Sequence, residues 1–289
     1  MKKIVVGLAA LMTALFFVVA CNKDNNGSIA LNGNTKVPLV VYLTDGPLRL
    51  DTVNLDIKNV EVKLDTNASH MSDDHFGDKD VDSLNDRQHH DGFGIWDTLQ
   101  FTPGVYNVAA LRNGLDQSIG TGSFAGTIRK IRLTLGTNNN IIQNGVTYPL
   151  VVNSRYVYVS INKKHHQKDS VNTAATALRI DVDLFRSIKL VNGTYYFLPY
   201  LKPFNDSDFG RLVGLVTPSD AKPLVTVFNA TDTAYAIPER NGFYKVRGLA
   251  AGTYSINFKA MNGYKDTTIT NQVIQLGSET KAPNIILHK

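Results

Sequence analysis

Two places in the 289-residue sequence gather side chains with chemistry to offer. The first lies between Thr66 and Gly92 and carries His70, His75, His89 and His90 among Asp73, Asp74, Asp78, Asp80, Asp82, Asp86 and Asp91. Carboxylate oxygens and imidazole nitrogens are donors that divalent cations accept. Asp78-x-Asp80-x-Asp82 has the odd-position oxygen spacing of a calcium loop. Ser83 then stands where that loop turns on glycine, and His89 where it uses a bidentate glutamate. Alternatively, the imidazoles of His70, His75, His89 and His90 could hold zinc, copper or nickel, with His165 and His166 added from another loop. None of these histidines has the spacing of a zinc finger or of a metalloprotease helix. Seven aspartates against Lys79 and Arg87 give the stretch a local charge of −5, in a chain of formal charge +5. Without an apolar pattern it reads as an exposed insertion over 66–92. Three readings stay open: a solvated loop, a divalent-metal site for calcium or zinc, and a pH-responsive segment whose histidines charge near pH 6. No cofactor is required.

The second place is Cys21, the only cysteine. Lys2 and Lys3 precede an apolar stretch of 17 residues, Ile4 to Ala20, which closes on Val18-Val19-Ala20-Cys21. A spanning helix wants about 20 apolar residues, so residues 1–20 read as a cleaved signal peptide. The ending resembles the lipobox of bacterial lipoproteins; the alternative is an ordinary secretory signal with a chance cysteine. The resemblance implies that the Cys21 thiol is alkylated by diacylglycerol, that cleavage follows Ala20, and that the new amino terminus is acylated. Acyl chains bury about 0.8 kcal/mol per methylene, enough for stable anchoring when two or three are present. Asn22 rather than aspartate follows the cysteine, so the common inner-membrane retention signal is absent. Lys23-Asp24 resembles the surface-export signals of Bacteroidetes-type lipoproteins. The implied place is the outer membrane, lipid-anchored and facing out, with the periplasmic face as the alternative.

What positions these groups is a β-rich body. The 269 residues left after cleavage suggest two domains. The basic residues are scattered, so there is no nucleic-acid footprint, and a lipidated Cys21 leaves no disulfide. Residues 21–35 form a polar tether. Leu39, Val41 and Leu43 alternate with Val40 and Tyr42, predicting a central strand apolar on both faces. It should stop at Thr44-Asp45-Gly46-Pro47, with Asp45 bonding the following backbone and Gly46 at positive φ. Val53, Leu55 and Ile57 alternate in one phase, and Val60, Val62 and Leu64 in the other, which places a β-bulge at Lys58-Asn59. Further strands fall at Val105 to Val108, Ile131 to Leu135, Tyr148 to Val152, Val157 to Ile161, Leu178 to Leu184 and Thr194 to Leu198, several separated by Asn-Gly turns. Val108 to Asp116 hints at a short helical turn. Pro203 to Asp208 reads as a linker into seven more strands. The predicted class is all-β: two β-sandwiches, immunoglobulin- or prealbumin-like, in series over 36–208 and 209–289.

Leu43-Thr44-Asp45-Gly46-Pro47, Val53-x-Leu-x-Ile, Trp96, Leu111-Arg112-Asn113-Gly114, Gly126 to Leu133, Ile180-Asp-Val-Asp and Leu198-Pro199 occur in this order. The set resembles the bacterial lipoprotein "domain of unknown function 4382". That resemblance implies an envelope lipoprotein with a β-sandwich body and brings no catalytic residues. Gly242 to Ile256 resembles the signature of the carboxypeptidase regulatory-like, transthyretin-type domain, which implies a non-catalytic stalk or interaction module. Adhesin domains of that kind carry a lysine–asparagine crosslink, but the first strand here offers Arg211.

No catalytic set emerges. Thr121 stands where a Gly122-Ser123 nucleophile elbow would need glycine. Asp181 and Asp183 share a strand face beside Arg179, which reads as an exposed salt-bridged row rather than an acid–base pair. Trp96, between Ile95 and Leu99, reads as core or rim packing ahead of a sugar-stacking role. The expected function is a non-enzymatic binding, adhesion or structural lipoprotein, whose partners are the membrane and a glycan or protein ligand. A metal-binding or metal-sensing lipoprotein is the alternative.

Overall fold

The computed structural model describes residues 36–46, 48–65, 94–161 and 177–289, which belong to one compact unit. The first core is closed by two sheets. Sheet I has four strands in the order Leu201–Phe204, Ala177–Asp183, Val37–Gly46 and Gln117–Phe124. Val37–Gly46 is central, as its doubly apolar pattern requires: it runs parallel to Ala177–Asp183 and antiparallel to Gln117–Phe124. Sheet II is built on the long strand Thr52–Asp65, which pairs antiparallel with Ile95–Thr98, Gly104–Asn107, Thr127–Leu135 and Asn140–Gln143. Val146–Val152, Thr194–Phe197 and Ile188–Val191 extend it one way, and Tyr156–Ser160 closes the other edge.

The phase change in the long strand is a bulge. Its register against Thr127–Leu135 shifts between Ile57 and Asn59, and again between Lys63 and Leu64. The first extra residue turns Val60 and Val62 back to the side already held by Val53, Leu55 and Ile57, and all five are buried. A one-residue slip would expose them all, at about 1.5–3 kcal/mol for each large side chain. The helical hint at Val108 is a single 3-10 turn, Val108–Leu111.

Three local expectations are corrected. The strand ends at Gly46, inside the expected Thr44-to-Pro47 stop, but two residues there behave differently. Both Asp45 carboxylate oxygens are buried without a hydrogen-bond partner, so that side chain does not bond the following backbone. Gly46 has no positive φ; a Cβ there would stand 3.3 Å from the Asp183 Cα, so close strand packing is what asks for glycine. Nor is Pro203 to Asp208 a slack linker. Pro203 sits in the edge strand Leu201–Phe204, where a missing N–H is tolerated. Phe204 and Asn205 are buried, and Asn205 Oδ1 accepts from Asp208 N at 2.7 Å and Ser207 Oγ at 3.0 Å.

A second core runs from Leu212 to Leu287. Sheet III orders Phe243–Leu249, Gly210–Thr217 and Glu279–Lys281, with Ile285–Ile286 also against Gly210–Thr217. Sheet IV orders Thr233–Ala236, Leu224–Phe228, Gly252–Lys259 and Thr267–Ile274. Tyr244 and Phe258 meet edge to face at 5.8 Å between them. Leu249 is fully buried at the corner that Gly248, at φ +68°, allows. The class is all-β, as the alternation predicts.

Candidate functional site

Cys21, His70, His75, Asp78, Asp80, Asp82, His89 and His90, along with His165 and His166, lie outside the described residues. Among the described residues, no group of three or more His, Cys, Asp or Glu is placed to hold a metal ion. What the fold does gather is a carboxylate cavity in the seam between the two sandwiches.

Asp181 and Asp183 share a face with Arg179, as period two demands, but that face turns to the second sandwich rather than to solvent. Asp183 is 5% exposed, and its Oδ1 accepts the Arg186 N–H at 2.9 Å, capping the short helix Leu184–Ser187. The exposed salt-bridged row is therefore corrected to an enclosed one. Arg179 pairs elsewhere, with Asp116 and Asp206, each at 2.9 Å. Asp45, level with Val182 on the neighbouring parallel strand Val37–Gly46, comes close to the pair at the end of the sheet and lines the same cavity.

The cavity has a volume of about 30 Å³, room for one water. Asp181 leaves some surface on it while protein encloses its carboxyl, and burial, with the Asp183 charge second, pushes its pKa up to about 7. Lys202 and Arg247 act the other way. Burial is likewise the first cause that raises Asp45 well above the ordinary carboxylate range, followed by Asp181 and Asp183, with Arg112 opposing. Asp183 is raised too, mainly by burial.

Cations and backbone from both cores close the seam. Arg247, from Phe243–Leu249, forks onto Asp116, donates to Thr44 Oγ1 at 3.2 Å and lies 5.6 Å over the Phe204 ring. Lys202 Nζ meets Asp232 Oδ2 at 2.9 Å. Arg186 donates to the Thr233 carbonyl at 3.2 Å and covers Tyr200, while Phe185 packs on Tyr235 at 4.6 Å. Asn113 donates to Ile237 O at 3.1 Å and accepts from Lys245 N at 3.3 Å.

A second cluster lies on the outer face of sheet II. Trp96 is half-buried there, so it belongs to the rim rather than the core. Arg132 stacks 4.3 Å over Trp96 and 5.2 Å over Tyr156, while Glu61 grips its fork with two 2.7 Å bonds. Tyr158 stands 6.2 Å from Trp96 and 6.4 Å from Tyr156. The sequence signal for this aromatic row is the alternation of Tyr156 and Tyr158 with buried Val157 and Val159. Trp96→Ala is expected to lower stability by about 1 kcal/mol through the lost stacking, read by urea denaturation.

A family model described as "Domain of unknown function (DUF4382)" matches residues 36–199. The chain belongs to the DUF4382 family. The DUF4382 region holds Asp45, Asp116, Asp181, Asp183 and Arg186 and the Trp96 cluster, whereas Lys202, Asp232 and Arg247 lie beyond it. No curated protein matches the chain. Among solved structures it is similar to a type II cohesin–X-dockerin complex from Acetivibrio cellulolyticus, at 21% identity and TM-score 0.22, over 27% of this chain and 56% of that one. It is also similar to the Bacillus anthracis TIE protein, at 12% identity and TM-score 0.24, over 88% and 35%. A third is the shaft pilin SpaA from Lactobacillus rhamnosus GG, at 10% identity and TM-score 0.22, over 88% and 96%. The chain thus spans little over half of the first of these and about a third of the second. At TM-scores this low, nothing about ligand or partner follows.

Proposed function

We propose that this chain is a non-enzymatic cell-envelope lipoprotein, moored through Cys21 to the outer membrane, that presents its DUF4382 sandwich as a binding or adhesion module. One observation carries the non-enzymatic part. The carboxylates best tuned for acid–base work line a cavity of about 30 Å³, whereas small-molecule sites run to roughly 300–1,000 Å³. The same carboxylates are walled by side chains of both cores, so the site joins the sandwiches instead of admitting a substrate. Residues 209–289 then act as a carboxypeptidase regulatory-like spacer docked on the first module through this seam. The run Val18-Val19-Ala20-Cys21 supports the anchor. Mass spectrometry of the natural product tests it: a diacylglycerol thioether at residue 21 is the expected result, and an unmodified thiol or a retained leader overturns it. Surface-applied protease should remove the protein from intact cells if it faces out.

A second reading, a metal-binding or metal-sensing role, is favoured by the density of aspartate and histidine between Thr66 and Gly92. Calorimetric titration of the full chain with calcium, zinc, copper and nickel decides it, and absence of heat with all four removes it.

A further inference from the structure

We infer that a pocket beside the edge of sheet I, between the segment Gln100 to Thr102 and the start of the strand Gln117–Phe124, is a binding site for a neutral sugar ring. The inference rests on the reading of the chain as a binding module and names the ligand class. The pocket has a volume of about 390 Å³, at the small end of the roughly 300–1,000 Å³ that ligand sites occupy.

Its walls are held by backbone. Gln100 and Thr121 exchange both main-chain hydrogen bonds, at 2.8 and 3.0 Å, and Leu99 N donates to Val60 O at 3.0 Å. Tyr106 Oη donates to the Thr102 carbonyl. Opposite them, Gln117–Phe124 shifts register between the partners of Tyr42 and Val41, leaving Ile119 unpaired and buried. Gly120 lines the floor, and only glycine fits: a Cβ would come within 2.7 Å of the Leu99 side chain. A pocket framed this way loses little order on binding, because its frame is already fixed.

The lining chemistry selects the ligand. Phe101 and Tyr106, partly buried against the first core, edge the pocket with two rings 5.8 Å apart, tilted by 31°. Gln100, Gln117, Thr102 and Ser118 supply amides and hydroxyls that both donate and accept. No lining side chain is charged at neutral pH. A phosphate or carboxylate would enter without a counter-charge, and a purely apolar ligand would strip the amides of water and return no bond. A ring with hydroxyls around its rim and C–H bonds on its faces satisfies both the amides and the aromatics.

The test is an array of neutral glycans (glucose, galactose, mannose, N-acetylglucosamine and their oligomers), with acidic glycans and matrix proteins beside them. It is probed with the full chain in a detergent lacking a sugar head group. A neutral glycan should be retained, and Gln100→Ala and Gln117→Ala should each weaken it by about tenfold or more. Both side chains are exposed, so the melting temperature should not move. Retention of no neutral glycan, or retention equal in the variants, overturns the inference. An acidic glycan or a protein held equally by all three proteins overturns it while leaving the binding-module reading intact. A chain that holds nothing on the array overturns both.

Discussion

Arg247→Ala is expected to cost about 3 kcal/mol and to split one cooperative unfolding transition into two. The Arg247 side chain is 11% exposed and that of its partner Asp116 is 18% exposed. Removing one member of a pair this enclosed leaves a charge short of its compensation, which costs about 3–5 kcal/mol in buried cases. Here the lower figure applies, because Asp116 keeps Arg179 at 2.9 Å. Stacking over Phe204 and the bond to Thr44 are lost with the same side chain. Each sandwich keeps its own apolar cluster, so neither should unfold outright; what weakens is the seam. Differential scanning calorimetry reads this directly, and a single transition at the wild-type temperature contradicts it. Arg247→Lys should rescue little, since an ammonium cannot fork onto a carboxylate while lying flat on a ring.

Asp181→Asn is expected to stabilise the protein above pH 7. The sign follows from proton linkage. The folded state raises the Asp181 pKa from 3.8 to about 7, so it binds the proton more tightly than the unfolded chain does. That contribution is fully present below pH 4, and it is lost progressively as pH rises from there through about 7. Wild type and variant should therefore melt alike at pH 3 to 4 and diverge steadily as pH rises above about 4. The gap should level off near pH 8 at on the order of 4 kcal/mol. Parallel melting curves across that range would show that ionised Asp181 is fully compensated by Lys202 and Arg247. Asp45, raised in the same direction, should make the wild-type decline steeper than one group alone would.

Much of the architecture was legible because side-chain alternation survives wherever large apolar residues carry it. The bulge near Lys58 could be placed because Val53 to Ile57 and Val60 to Leu64 are out of phase. Gln117–Phe124 left no such trace: its inward positions include Ile119 and Gly120, and glycine has no side chain to alternate. Leu201–Phe204 was hidden by Pro203, which argues against a strand unless the strand is an edge. The carboxylate cavity was half legible. The shared face of Asp181 and Asp183 follows from spacing alone, but what covers that face does not. Its cover comes from Thr233, Tyr235 and Arg247, roughly fifty residues or more away along the chain, and a single sequence carries no signal for that docking. Asp45 looked like a turn residue because Asp-Gly-Pro is turn composition, yet the strand passes straight through it. The sugar pocket draws on segments around Gln100, Tyr106 and Gln117, none with a motif of its own.

The parallel pairing of Val40 with Ala177 has a kinetic side. The middle strand of sheet I lies near the start of the body, while one of its two neighbours is made more than a hundred residues later. Closure of so large a loop slows folding, so the chain stays open until its distal part has emerged. Under the proposed lipoprotein reading, late closure would keep the chain open for export. A version ending before Ala177 should remain unfolded and protease-sensitive rather than settle into a smaller sandwich.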